Sequence, residues 1–342
     1  MTETTDPRKE RIRTIADLAR IAGVSTGTVS RALSGSSLVR ADTRDRLVKL
    51  AQDHGFTPNA TARNLRTQRT GAIAVIVPLG HETSQHLSDP FFMALIGYLA
   101  DALSERGYDL LLSRVIPQRP NWLQHIVDAG RADGLIVIGQ SDQADIVDDV
   151  ASRYLPMVVW GGHQDGQIHC SVGTDNRVGG LMATRHLIAQ GCKRIAFIGN
   201  PQAVEIGHRL IGCAEALREA GQDTRPEILP AHLTAETAHA AISSWLDARG
   251  RNVDGIVAAS DVIAMSALRA LAEHGRKVPD DVRVVGYDDL PLASQTSPPL
   301  TSIRQDLEAG ARHLVDALFT RMAGTASCSV VMQPMLIVRE SA

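Results

Sequence analysis

Apolar residues recur along the chain with two different rhythms, and the change between them falls near residue 70. In "TIADLARIAG", Ile15, Leu18, Ala19 and Ala22 stand at i, i+3, i+4 and i+7, the stripe of an amphipathic helix. Thr14, with Asp17 three residues on, resembles a capping box, and Gly23 stands where a helix closes on a left-handed residue. Ser25 is a good N-cap for a second helix. In that helix Val29, Ala32 and Leu33 point one way, and Gly27, Ser30, Arg31 and Ser34 the other. A third helix is predicted near "TRDRLVKLAQDHG", residues 43–55, with Leu47, Leu50 and Ala51 inward and Gly55 closing it. Three short helices with a tight "AGVS" turn predict a helix-turn-helix domain over residues 14–57, preceded by a flexible tail at residues 1–13.

From residue 71 short apolar runs alternate with amphipathic segments. Strands are predicted at 72–78, 108–113, 134–139 and 156–161, and a second set at 194–199, 226–230, 255–260 and 283–288. Most are nearly continuous Val, Ile and Leu, as parallel strands buried on both faces require. Helices between them, such as 90–106, 176–190 and 261–274, imply βαβ crossovers. The expected fold is an all-α helix-turn-helix head with a hinge helix at residues 58–70, then an α/β body of two doubly wound parallel-sheet lobes. The N-terminal lobe is expected at about 71–169 plus 301–330, and the C-terminal lobe at about 170–300 plus 331–342, with "LTSIRQD" and "LIVRES" returning across the junction. This layout resembles the periplasmic sugar-binding proteins, whose ligands sit between the lobes at the carboxyl ends of the strands.

The hinge stretch "PNATARNLRTQR" opens on Pro58 and on Asn59, a natural N-cap, and places Ala62 and Leu65 on one face. A helix this short is marginal in water, so it is expected to order only with DNA and a second copy. The second helix of the head is equally unusual. Its Gly27 should cost about 1 kcal/mol against alanine. What that sacrifice obtains is a thin, hydroxyl-rich surface from which Arg31 can fork onto a guanine edge.

Charge sharpens this picture. The net charge of −3 hides 13 basic against 7 acidic residues over positions 1–69, and 22 basic against 31 acidic residues thereafter. A basic head on an acidic body points to a polyanion partner for the head alone. No apolar run approaches the roughly 20 residues of a membrane span, and the polar N-terminus lacks a secretory stretch. The four cysteines are scattered with no CxxC pair, which fits a reducing cytoplasm. There is no GxxxxGK[ST] loop, no GxGxxG after the first body strand, no GxSxG elbow at a strand end ("GVSTG" at 23–27 lies between two predicted helices) and no HExxH, and the twelve histidines lack metal-ligand spacing. Neither catalysis, nor a cofactor, nor a metal is expected.

Polar and aromatic residues at the predicted strand ends are the pocket candidates. Gln140 follows "LIVIG", Trp160 closes "PMVVW", Asp261 follows "GIVAAS" and Asp288 follows "VVGY". Arg209 lies after "FIGNPQAVEIGH", with Glu205 one turn earlier.

"TIADLARIAGVSTGTVSRALSG", followed by "GFTPNATARNLRTQRT", resembles the lactose-repressor (LacI/GalR) family of bacterial transcription regulators, and the similarity continues to about residue 340. The resemblance implies that Thr26, Gly27 and Arg31 read bases in the major groove, while Thr14, Ser25, Thr28 and Ser30 meet phosphates. It makes residues 58–70 the hinge helix, with Asn59, Ala62 and Leu65 at the minor groove and Leu65 as an inserted wedge. Arg209, Asp261 and Asp288 match effector positions or their supports, and "DPFF" brings Phe91 and Phe92 as an aromatic wall. His232 and Leu233 lie near another pocket position. The function implied is a homodimeric cytoplasmic repressor of carbohydrate-utilisation genes, held on a palindromic operator in double-stranded DNA and released by a small sugar. A corepressor-dependent regulator and a sugar receptor without DNA function are the alternatives. Glu205 stands where several sugar-responsive relatives place a small or hydroxylated residue, so their ligands are not carried over; a glucose-containing sugar is favoured.

Overall fold

The computed structural model describes residues 14–56, 69–79, 85–140, 143–222, 226–248 and 252–342. The expected tail and most of the expected hinge, with Asn59, Ala62 and Leu65, lie outside the described residues. The chain divides into two compact units, Met1–Thr70 and Gly71–Ala342.

In the first unit α1 (Ile15–Ala22), α2 (Thr26–Leu33) and α3 (Ala41–Asp53) enclose a small core that includes Leu18, Val29, Ala32, Leu47 and Phe56. Local chemistry sets each end. The Thr14 hydroxyl accepts from Asp17 N–H at 3.1 Å, and the Asp17 carboxylate accepts from Thr14 N–H at 3.0 Å, which completes the capping box. Gly23 closes α1 at φ 66°, where a side chain would be strained. Ser25 Oγ then accepts from Thr28 N–H at 3.1 Å and starts α2. Helix α3 begins two residues ahead of its predicted start, and Asp42 in its first turn suits the positive end of the helix dipole.

Among the described residues, the second unit holds two six-stranded sheets. The first is built from β1 (Ala72–Pro78), β2 (Asp109–Val115), β3 (Gly134–Ile138), β4 (Met157–Trp160), β5 (Cys170–Thr174) and the late strand β11 (Val330–Met332), all parallel in the order β11-β5-β4-β3-β1-β2. Alternate residues of β1 serve two cores. Ile73, Val75 and Val77 face α4 (Pro90–Glu105) and α11 (Leu307–Met322). Ala74 and Ile76 face α5 (Trp122–Asp128) and α6 (Ala144–Ala151). Strand β2 is the exception to the pattern of buried apolar runs. It forms the sheet edge and leaves Leu111, Leu112 and the following Ile116 exposed.

The second sheet contains β6 (Ile195–Ile198), β7 (Glu227–Leu229), β8 (Gly255–Ala258), β9 (Arg283–Asp288), β10 (Thr301–Arg304) and β12 (Met335–Ile337), in the order β12-β10-β9-β8-β6-β7. Only β12 runs antiparallel to its neighbour. Around it pack α7 (Asn176–Ala189), α8 (Val204–Glu219), α9 (Ala235–Ala248) and α10 (Asp261–Glu273). Helices α7 and α8 approach so closely that a Cβ on Gly180 would lie 1.9 Å from the Arg209 carbonyl oxygen.

This pairing corrects the expected lobe boundaries. Residues 170–174 belong to the N-terminal lobe, because β5 lies between β4 and β11. Residues 301–304 belong to the C-terminal lobe, because β10 pairs with β9. The chain therefore passes between lobes at about Asp175, again after Arg304, and a third time at 333–334. Strand β5 was hard to anticipate because "CSVGT" lacks an apolar run. Its Gly173 is dictated by the neighbouring chain, since a Cβ there would stand 2.2 Å from the Gly161 carbonyl oxygen.

Candidate functional site

In the head, α2 keeps Val29 and Ala32 in the core and turns Thr26, Gly27 and Arg31 outward, with Thr28 and Ser30 half-buried beside them. The Arg31 guanidinium leans back toward Gly27, with Nη2 3.5 Å from where a Cβ would stand. The hydroxyls of Thr14 and Ser25 hold helix caps, and both residues stay exposed. The result is a polar face at two helix starts, where N–H groups and small hydroxyls favour phosphate oxygens.

In the body the two sheets leave a cleft of about 900 Å³ between them, partly open to solvent. The N-terminal lobe supplies an aromatic wall: the ring of Phe91 lies 6.3 Å from that of Trp160 and 5.8 Å, edge-on, from that of Phe92. The C-terminal lobe supplies Glu205, Arg209 and Asp288. Arg209 is fixed rather than free. Its Nε donates to Asn176 Oδ1 at 2.8 Å, its Nη1 donates to the Ala259 carbonyl, and its Cζ lies over the Tyr287 ring, 3.6 Å from the centroid. Asp288 accepts from Gln305 Nε2 at 2.7 Å. It sits at φ 109° and is followed by Asp289 at φ 52°, backbone that non-glycine residues seldom adopt.

Asp261 holds that turn. Its Oδ1 accepts from the Ser302 hydroxyl at 2.6 Å and its Oδ2 from Leu290 N–H at 2.7 Å. Behind the turn Asp289 pairs with Arg304 and Arg339, each at 2.7 Å. Burial pushes the Asp288 carboxyl up to about 7; Arg209 opposes the rise and the charge of Asp89 adds to it. Burial, with repulsion from Asp288, also raises Asp261 well above the carboxylate range. Asp89 is raised by burial in spite of the hydrogen bonds it accepts from Gln85 and Phe91 N–H.

Six of the eight expected pocket residues, Phe91, Phe92, Trp160, Glu205, Arg209 and Asp288, thus line one cleft. The other two do not. Asp261 is wholly buried beneath the Asp288 turn, and Gln140 lies behind the wall. There Gln140 donates to the Gly162 carbonyl and meets His169 Nε2 at 2.9 Å. Both follow strands, as the argument from strand ends required, but their carboxyl and amide groups are consumed within the fold, each by one backbone group and one side chain. Leu233 lines the cleft, and His232 is not among its lining residues. Asp89, Thr174, Asn176 and Gln305 also line it and were not anticipated. Thr174 and Asn176 flank the carboxyl end of β5, so recognising that strand would have pointed to them. Among the described residues no group of three or more His, Cys, Asp or Glu side chains could hold a metal ion. None of the described helices is long and apolar enough to cross a membrane.

The pattern of the bacterial regulatory proteins of the lacI family matches residues 14–59, and that of the periplasmic binding protein-like domain matches residues 184–342. The HTH-type transcriptional regulator CelR of Thermobifida fusca is 35% identical over 345 residues, covering 97% of this chain and 99% of its own. The chain belongs to the LacI family. It is accordingly a DNA-binding transcriptional regulator and not an enzyme. Other members lie close as well. The HTH-type transcriptional repressor CytR of Escherichia coli K12 is 31% identical, covering 98% of this chain and 97% of its own. Among solved structures, a transcriptional regulator CelR–cellobiose complex superposes with a TM-score of 0.70 at 34% identity, covering 97% of this chain and all of that one. The lac repressor dimer bound to operator and the anti-inducer ONPF superposes with a TM-score of 0.84 at 26% identity, covering 96% of this chain and 98% of that one.

Proposed function

We propose that this LacI-family regulator is a homodimeric cytoplasmic repressor of carbohydrate-utilisation genes, released from a palindromic operator by a small sugar. The observation that carries the reading is the division of the cleft into an aromatic wall, Phe91 with Trp160, facing a polar pair, Asp288 with Arg209. A sugar ring offers one apolar face to the first and adjacent hydroxyls to the second. The complex of the similar CelR with cellobiose supports a glucose-containing sugar. In the head Thr26 and Arg31 read base edges, Gly27 admits close approach, and Thr14, Ser25, Thr28 and Ser30 meet phosphates. Asn59, Ala62 and Leu65 belong to the minor-groove hinge, with Leu65 as its wedge. The exposed apolar residues of the β2 edge, with Met93 and Tyr98 on α4, support a face shared between two copies.

The test is a thermal-shift screen of the full chain against neutral sugars, sugar phosphates and nucleosides, followed by operator release. A ligand that binds the folded state raises the melting temperature by mass action. The expected result is one neutral sugar that stabilises the protein and frees the operator. A sugar that tightens operator binding instead would make the regulator corepressor-dependent, and stabilisation by a nucleoside alone would overturn the sugar reading.

A further inference from the structure

Glu205 opens α8 on the C-terminal lobe, yet its carboxylate finds its partner on the other lobe. Oε1 accepts from the backbone N–H of Gly162, in the segment leaving β4, at 3.3 Å. Glycine makes the approach possible: a Cβ on Gly161 would stand 3.2 Å from Glu205 Oε1 and 3.1 Å from the Gln140 amide nitrogen. The wall formed by Gly161 and Gly162 is held from behind. Gly161 N–H donates to the Val172 carbonyl at 3.0 Å, and the Gly162 carbonyl accepts from Gln140. Gln140 is braced by His169 at 2.9 Å, and His169 by Asp148 at 2.6 Å. Asp148 also accepts the N–H groups of Ile168 and His169 at 2.9 Å each. Glu205 therefore meets a donor whose position is already fixed, and its second oxygen has no hydrogen-bond partner among the described residues.

The charge of the cleft adds a second observation. Its lining includes Asp89, Glu205 and Asp288 against the single cation Arg209. Two nitrogens of that guanidinium are already bonded, Nε to Asn176 and Nη1 to the Ala259 carbonyl, and its face rests on Tyr287. An anionic ligand entering beside Glu205 would meet a like charge and, among the described lining residues, no cation besides the partly engaged Arg209.

We infer that Glu205 is a specificity-determining latch: one carboxylate oxygen ties the C-terminal lobe to the Gly161–Gly162 wall, the other takes a hydroxyl of a neutral sugar, and its charge turns away sugar acids and sugar phosphates. The inference rests on the sugar reading of the cleft, but the latch itself can be observed without any sugar. The experiment compares the full-length protein with Glu205→Gln, which keeps an acceptor oxygen and removes the charge, and with Glu205→Ala, which removes both. Amide hydrogen exchange at Gly162 without ligand should quicken about tenfold or more in Glu205→Ala and change little in Glu205→Gln, since protection follows local opening. Unchanged exchange in Glu205→Ala would overturn the latch. Calorimetric titration with cellobiose and with its aldonic acid, cellobionate, tests the selection. Wild type should favour cellobiose by at least about tenfold, and Glu205→Gln should bring the two toward parity, because like charges brought together are strongly disfavoured. An unaltered ratio in Glu205→Gln would overturn the role of the charge. If wild type binds neither probe, the selection as stated for a cellobiose-type sugar falls, while exchange at Gly162 still decides the latch.

Discussion

Replacing Asp288 by Asn should make the protein more stable in weak base while removing its grip on the effector. The Asp288 carboxyl is buried, and burial raises it from its usual 3.8 to about 7. A group raised in this way favours the fold most below the unfolded value, near 4, and that contribution is lost as the pH climbs through about 7. Each unit of difference corresponds to about 1.4 kcal/mol, so wild type should lose about 3 kcal/mol between pH 5 and pH 8 through this one group. Asparagine carries no such slope. It keeps an oxygen to accept from Gln305 Nε2, and asparagine is among the residues that tolerate positive φ. Removing the charge also relieves Asp261, which repulsion from Asp288 helps to raise. Urea unfolding of both proteins at several pH values from 5 to 8 cancels the titrations they share. The expected result is a stability gap that opens in favour of Asp288→Asn as the pH rises, beside calorimetric loss of sugar binding. Parallel stability curves, or a variant that weakens as the pH rises, would refute the account of Asp288 as a buried carboxyl kept for function.

Other perturbations reach different parts of the molecule. Arg31→Ala should cost about 1–3 kcal/mol on operator DNA and much less on random DNA, measured by fluorescence anisotropy at one salt concentration. Gly180→Ala forces a Cβ to within 1.9 Å of the Arg209 carbonyl oxygen. It should lower stability by about 1–3 kcal/mol or more and weaken sugar binding through the displaced Arg209, read by urea unfolding and calorimetry. Leu111→Lys at the exposed β2 edge should shift the protein toward monomer in sedimentation velocity without lowering its melting temperature, since Leu111 lies outside the core.

The parts of the fold that could be read from residues alone are those with a local cause. Thr14, Asp17, Gly23 and Ser25 predict the ends of α1 and α2 because capping is decided within three or four residues. Apolar runs such as Ala72–Pro78 predict strands because both faces of a central parallel strand are buried. Where placement depends on distant chain, that reasoning stops. Cys170–Thr174 is polar and small, yet it is a central strand because β11 and β4 flank it. The leucines of β2 look like core and lie at an edge, since strand order is a property of the whole sheet. The same limit divides the cleft. Strand ends located Trp160 and Asp288, and the start of a helix Arg209, but proximity to a strand end cannot distinguish a side chain that faces the cleft from one spent on backbone. Gln140 and Asp261 were spent in this way, on the Gly162 carbonyl and on Leu290 N–H.

The crossovers explain how binding in the cleft could be felt elsewhere in the body. Asn176, which orients Arg209, begins α7 immediately after the first passage between lobes. Gln305, which donates to Asp288, follows the second. The two polar groups assigned to the effector are therefore both bonded to residues at the joints, rather than to the interiors of the lobes. On the proposed reading, a sugar that satisfies Asp288 and Arg209 would change the partners available to Gln305 and Asn176, and so would act at the joints between the lobes. Glu205 adds a bond that spans the cleft directly. Ligand energy spent at these three places would bias the relative position of the lobes. An effector needs only a coupling of about 1–3 kcal/mol at such joints to alter DNA affinity by roughly 5- to 150-fold.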